Sequence, residues 1–202
     1  ALAAEGAAIV AADVNDCSDP VAAVESGSGR AISTSVDVSD AASCEAMASF
    51  AKDTFGRVDV LINNAALYAG LKGARFEHLD EAQWDQVMQV NIKGTWLASR
   101  AMVDHMRESG GGSIINITSL AAVFGLPYGL DYVASKAAVI GMTRGMAREL
   151  GPAHIRVNAV APSAVMTEGT EEFFGEKFEK AKSVVASNQL IPRNLETEDL
   201  TG

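Results

Sequence analysis

Tyr132 and Lys136 stand four residues apart in DYVASK (131–136), and so do Tyr68 and Lys72 in YAGLK (68–72). On a helix that spacing puts a phenol and an ammonium on one face, one turn apart. A positive charge beside a phenol favours the phenolate, so the pair is predicted to lower the tyrosine pKa. Such a tyrosine is a general acid/base for protonating a carbonyl oxygen or deprotonating an alcohol. Ser119, at the end of the run SIINITS, can donate to the same oxygen and steady its charge. Context separates the two pairs. Tyr68 and Lys72 are flanked by Gly70 and Gly73 without helical periodicity, so a loop is predicted there, with Tyr68 at a pocket mouth. Tyr132 opens a long amphipathic stretch that packing can hold rigid.

Other positions offer binding chemistry. Asp13 closes the run AAIVAAD (7–13). A carboxylate at the end of the second strand of a dinucleotide-binding sheet accepts hydrogen bonds from ribose hydroxyls and repels a 2′-phosphate. An aspartate in DVND also serves as an ordinary helix cap or turn residue. Asn63 and Asn64 follow VDVLI and precede Ala65 and Ala66. Small residues at a strand's carboxyl end let a ligand approach the backbone, although an Asn pair is equally a common turn. Cys17, Cys44 and the three histidines are not at metal-ligand spacing, so no metal site is expected. Two free thiols suit a reducing cytoplasm.

These residues need elements to hold them. Runs at 7–13, 31–38, 58–65, 112–119 and 155–162 read as strands, most of them apolar on both faces, as parallel strands covered by helices are. Helical patterns fill 39–56, 80–112 and 131–152, the first opening on a Ser-Asp cap and closing at Gly56. The alternation predicts an α/β fold: a doubly wound parallel sheet with helices on both faces, Rossmann-like and three-layered. With 202 residues and 48% hydrophobic content, residues 1–202 read as a single domain. A formal net charge of -10 argues against nucleic acid or an anionic membrane surface as partner. No apolar run is long enough to span a membrane. The opening ALAAEGA reads as the end of a helix, and IPRNLETEDLTG as the start of one. A piece is therefore expected to be missing at each end.

DVND, DVSD, INNAA, QVNIKG, GGSIINITS, YVASK and IRVNAVAPSAVMT occur in an order and spacing that resembles the short-chain dehydrogenases/reductases. The resemblance implies a catalytic tetrad of Asn91, Ser119, Tyr132 and Lys136, with Asn91 helping to hold a water that connects to Lys136. It also implies that Lys136 binds the nicotinamide ribose, Asp13 the adenosine ribose, and Asp37 and Val38 the adenine. Asn64, Ala65 and Ala66 would lie along the ribose, and Pro162, Ser163, Val165 and Thr167 at the nicotinamide. Ala66 and Ser163 stand where the family usually has glycine, small replacements that call for only a slight backbone adjustment. The family's glycine-rich loop and central first strand would precede Ala1, and its last helix and strand would follow Gly202.

The implied activity is an NAD(H)-dependent interconversion of a secondary alcohol and a ketone, in the cytoplasm. A 3-oxoacyl-carrier-protein reductase using NADPH is the alternative, disfavoured by Asp13. A non-catalytic dinucleotide-binding regulator is disfavoured because all four tetrad residues are present. The loop 168–188 would set the substrate, with Phe173, Phe174 and Phe178 forming an apolar lid or an amphipathic helix on the body. Small and apolar residues in AAVIGMTRGMA cover more of the helix than one core contact needs, which predicts a homotetramer, or at least a dimer, through helices starting near Asp85 and Asp131.

Overall fold

A computed structural model describes residues 1–200. The five apolar runs form strands β1 (Ala8–Asp13), β2 (Arg30–Ser35), β3 (Val60–Asn63), β4 (Gly112–Ile117) and β5 (Ile155–Val160). Every pairing is parallel: Ala8 lies opposite Arg30, Val60 opposite Ser113 and Gly112 opposite Ile155. Parallel pairing gathers the residues after Asp13, Asn63, Ile117 and Val160 at the same edge, where open α/β folds bind ligands.

The expected single sheet is in two parts, β1–β2 and β3–β4–β5, with no ladder between β1 and β3. Between them runs a cleft of about 580 Å³, lined by Ile9, Val10, Leu61 and Ile62 of the strands and by Met47, Ala98 and Met102 from the helices.

The helices are α1 (Ser18–Ser26), α2 (Ala41–Phe55), α3 (Glu81–Val87), α4 (Thr95–Glu108), α5 (Ala121–Phe124), α6 (Leu130–Leu150), α7 (Glu168–Phe174) and α8 (Phe178–Asn188). Helix α2 shows how the sequence sets its limits. The Asp40 carboxylate accepts from the Ala42 and Ser43 amides, an arrangement that contributes about 1 kcal/mol. At the other end Gly56 takes φ 82°, a left-handed conformation in which its amide reaches the Lys52 carbonyl. The core joins Cys44, Met47, Ala48 and Ala51 of α2 to Leu97, Ala98, Met102 and Met106 of α4, beneath Ile114, Ile155 and Val157.

The stretch 80–112, predicted as one helix, is two. A π-helical turn, Met88–Gly94, separates α3 from α4, and Gly112 belongs to β4 rather than to the helix stop. Widened turns of this kind interrupt the regular hydrogen-bond ladder and recur at functional sites.

Candidate active site

Helix α6 buries Asp131, Tyr132, Ser135, Lys136, Val139 and Thr143, a stripe at helical spacing. Two hydrogen bonds tie this face to the end of β4. The Lys136 Nζ donates to the Ile117 carbonyl at 2.8 Å, and the Thr118 hydroxyl donates to the Lys136 carbonyl at 2.8 Å. Ser119 follows directly, and its hydroxyl lies close enough to the Tyr132 phenol to pull its pKa down. Thus Ser119, Tyr132 and Lys136 come together at the carboxyl edge.

Their electrostatics correct one expectation. Burial pushes the Tyr132 phenol up, and the neighbouring Ser119 hydroxyl pulls it partly back down. The predicted lowering by Lys136 does not appear, because the ammonium is turned to the Ile117 carbonyl and lies 5.8 Å from the centroid of the Tyr132 ring. Lys136 is itself 5% exposed, and burial lowers its pKa to about 8.

Asn91 sits in the π-helical turn and is buried. Its Oδ1 accepts from the Leu67 amide at 2.7 Å, while its Nδ2 donates to the Leu67 carbonyl at 3.2 Å and to the Ser135 hydroxyl at 3.0 Å. It therefore clamps the loop after β3 onto α6. In the same turn, a Cβ built on Gly94 would meet the Val38 side chain at 2.7 Å, so only glycine lets β2's exit pack this closely.

A second clamp was not legible in the sequence. Gln83 in α3 accepts from the Lys72 amide at 3.0 Å and donates to the Lys72 carbonyl at 3.2 Å and to the Asp131 carboxylate at 2.7 Å. The other Asp131 oxygen accepts from the Tyr132 amide at 2.8 Å. In the sequence Gln83 looks like any polar residue in a helix's first turn; its role depends on which loop folds over it. Asn116 was missed in the same way, and Asn63, read as part of a strand end open to a ligand, instead bonds its side chain to neighbouring elements. Asn63 donates to Asn116 at 2.8 Å and to Ser99 at 2.9 Å, and Asn116 donates to Thr143 at 2.9 Å, which locks β3, β4, α4 and α6 together.

The first Tyr-x-x-x-Lys pair lies in the predicted loop, and Lys72 is exposed. Tyr68 is nonetheless close to the chemistry. Its ring centroid lies 5.0 Å from that of Tyr132 and 4.4 Å from that of Phe173, the latter nearly parallel at 15°. Phe173 and Phe174 belong to α7, and Phe178 starts α8, so this segment is helical.

The remaining expected positions follow the strand ends. The Asp13 carboxylate, at the end of β1, accepts from the amide and side chain of Asn15 at 2.9 and 3.0 Å. Asp37 is held low in pKa by the hydroxyl and amide of Ser39, and Val38 packs on the core. Asn64 and Ala65 are exposed and Ala66 is half-buried. Past β5, the Pro162 carbonyl accepts from the Leu120 amide at 2.9 Å, next to Ser119. The half-buried Ser163 lies between Pro162 and the short bridge of Val165 with Leu195. The Val165 carbonyl accepts from the Thr170 hydroxyl at 2.7 Å, and Thr167 caps α7. Among the described residues no three His, Cys, Asp or Glu side chains gather as metal ligands.

These residues fit a nicotinamide dinucleotide. The cleft opens beside Asp13, Val38, Asn64 and Ala65, where a carboxylate faces a strand end of small residues. A buried ammonium stands by the phenol and the serine at the other end of the same edge.

Comparison with known proteins places this geometry. A family model described as enoyl-(acyl carrier protein) reductase matches residues 1–202. The D-threitol dehydrogenase of Mycolicibacterium smegmatis is 34% identical over 192 residues, which cover 94% of this chain and 73% of that protein. The 3-oxoacyl-(acyl-carrier-protein) reductase of Thermotoga maritima is 35% identical over 173 residues, 85% of this chain and 69% of the relative. The crystal structure of levodione reductase superposes with a TM-score of 0.89 at 31% identity, covering 98% of this chain and 80% of the other. The motifs, the parallel fold and these relatives agree: the chain belongs to the short-chain dehydrogenase/reductase family, oxidoreductases that act on CH–OH groups with a nicotinamide dinucleotide.

Proposed function

We propose that this protein interconverts a secondary alcohol and a ketone with NAD(H), using Tyr132 as the general acid/base. The observation that carries the reading is the Tyr132 phenol next to the Ser119 hydroxyl and the buried Lys136, at the carboxyl ends of parallel strands. In the oxidative direction Tyr132 takes the hydroxyl proton, while Ser119 donates to the same oxygen and steadies it as the C=O bond forms. Nicotinamide supplies the hydride acceptor or donor when bound. A phenol pushed up by burial is protonated at neutral pH, so it is ready to donate to a ketone. Oxidation needs the phenolate, and its rate rises with pH. Lys136 offers its ammonium to the nicotinamide ribose hydroxyls, and Asn91 fixes the π-helical turn against α6. Asp37, Val38, Asn64, Ala65 and Ala66 line the adenosine half, and Pro162, Ser163, Val165 and Thr167 the nicotinamide half. Turnover of a panel of secondary alcohols tests the reading; no turnover with either cofactor would support a non-catalytic dinucleotide binder instead.

The choice of NAD rests on Asp13. Only further acids surround it in DVNDCSD, so a 2′-phosphate there would meet like charge. Repulsion and lost hydrogen bonds are worth on the order of a hundredfold in preference. Asp13→Ser is expected to weaken NAD and shrink the preference in steady-state kinetics with both cofactors. A wild-type enzyme that prefers NADP would overturn the assignment and favour a 3-oxoacyl-carrier-protein reductase, the activity named for the 35% identical relative.

Three coarser features complete the proposal. The fold is one dinucleotide-binding domain, with the two parallel sheets flanking one cleft. The protein is a homotetramer through α4 and α6, where Trp96 is 46% exposed and Gly141 and Gly145 leave open space beside the helix. A monomer by light scattering at micromolar concentration would remove this claim. It is cytoplasmic, as its two free cysteines suit.

A further inference from the structure

The loop that carries Tyr68 is fixed at both ends to the catalytic helix. Asn91 holds both backbone groups of Leu67 and bonds Ser135; Gln83 holds both backbone groups of Lys72 and bonds Asp131. Asp131 and Ser135 are one turn apart on α6, on either side of Tyr132 in the sequence. Two amide side chains thus set the loop in register with the reacting phenol, and Tyr68 hangs between them.

The ring of Tyr68 is placed as a wall. Its centroid lies 5.0 Å from that of Tyr132, with the two planes at 43°, so the ring flanks the phenol on the side of the clamped loop. Phe173 shows what the face accepts: a flat ring, nearly parallel, at 4.4 Å. Phe173 rides on α7, a seven-residue helix that starts at the Thr167 cap and ends at Gly175 with φ 50°. The loop side of this stack is held by the two clamps, whereas Phe173 belongs to α7, outside them. Tyr68 is not a second acid: burial pushes its phenol up to about 12, and its hydroxyl bonds Thr170.

We propose that Tyr68 is a specificity-determining residue, whose ring takes a planar apolar substituent of the substrate's carbinol carbon, an aryl or conjugated group, in the place that Phe173 fills in this structure. The inference rests on the alcohol/ketone reading above and names the substrate class of that same site. Offset ring stacking favours a planar over a saturated ring by about three- to tenfold.

The test compares 1-phenylethanol with 1-cyclohexylethanol, which share a carbon skeleton and differ in planarity, on the intact protein with NAD. The wild type is expected to prefer the phenyl alcohol by about three- to tenfold in kcat/KM, mainly through KM. Tyr68→Leu is expected to bring the ratio close to one, and Tyr68→Phe, which keeps the face, to retain it. A ratio that Tyr68→Leu leaves unchanged, or a wild type without the preference, overturns the proposal. If the wild type turned over neither alcohol, the reaction reading would fail by itself. Tyr68 is then decided by binding: wild-type affinity for acetophenone above that for cyclohexyl methyl ketone, lost in Tyr68→Leu, supports the wall, and equal wild-type affinities overturn it.

Discussion

Residues 132–136 hold their phenol and ammonium on one buried helix face, with Tyr132 9% and Lys136 5% exposed. Residues 68–72 hold the same two side chains in a loop, where Tyr68 stacks on Phe173 with its ring tilted against Tyr132, and Lys72 is exposed. Both tyrosines are pushed up by burial, Tyr68 to about 12. Only Tyr132 has a serine hydroxyl beside it at the end of a strand and a buried ammonium one turn away. A Tyr-x-x-x-Lys spacing becomes chemistry when a helix fixes the pair and a strand end supplies the third group. Without both, the same residues make a wall and a solvated charge.

The widest separation between the regions is in turnover. Tyr132→Phe removes the oxygen proposed to transfer the proton and is expected to lower kcat about a thousandfold while dinucleotide affinity, read by fluorescence titration, holds. Tyr68→Phe is expected to stay within about twofold, since only a hydroxyl bonded to Thr170 is lost. Two variants that behaved alike would break the comparison.

The lysines separate next, in stability. Burial lowers Lys136 from 10.5 to about 8, so between those values the unfolded chain binds the extra proton. Stability therefore rises with pH through that window, and the penalty of about 3 kcal/mol is fully present below about pH 8. Urea unfolding at pH 7.5 and 9.5 should show this rise in the wild type and lose its Lys136 part in Lys136→Met. Lys72→Met, at an exposed position, should leave the rise intact and shift the midpoint by less than about 0.5 kcal/mol.

Gln83 joins the two regions and gives the next effect. Gln83→Ala strips the Lys72 clamp and leaves one buried Asp131 oxygen without its donor, a loss of about 2 kcal/mol in chemical denaturation. It should also blunt the aryl preference assigned to Tyr68, because the loop is freed at one end. A Gln83→Ala protein as stable as wild type would mean that Asn91 alone holds the loop. The smallest effect is expected at Asp40, whose cap lies far from both pairs. Asp40→Ala should destabilise by about 1 kcal/mol and leave KM for every alcohol unmoved.

Much of this was legible in the order of residues. Apolar runs bounded by turn residues located five strands to within a few positions, since parallel strands covered on both faces must be apolar almost throughout. The Asp40 and Gly56 signals located the ends of α2 because caps are local interactions. The grouping of Tyr132, Lys136 and Ser119 was legible because it depends on a helical spacing and a strand end, both of which periodicity reveals.

The rest depended on contacts between segments far apart in the chain. Gln83 and Asn63 carry no periodic signal, and each acts through a partner 11 to 53 residues away. The π-helical turn at Met88–Gly94 arises within a sequence that reads as continuous helix, so it was set where Asn91 reaches Leu67 and Ser135. The direction of the Tyr132 shift was likewise tertiary. Spacing brings the ammonium one turn away, but packing turns it to the Ile117 carbonyl and leaves desolvation to dominate. Local sequence determined which residues lie on a helix face or at a strand end, because backbone periodicity is a property of neighbours. Which of them touch, how deeply they are buried and what their protons do were decided only when distant segments packed together.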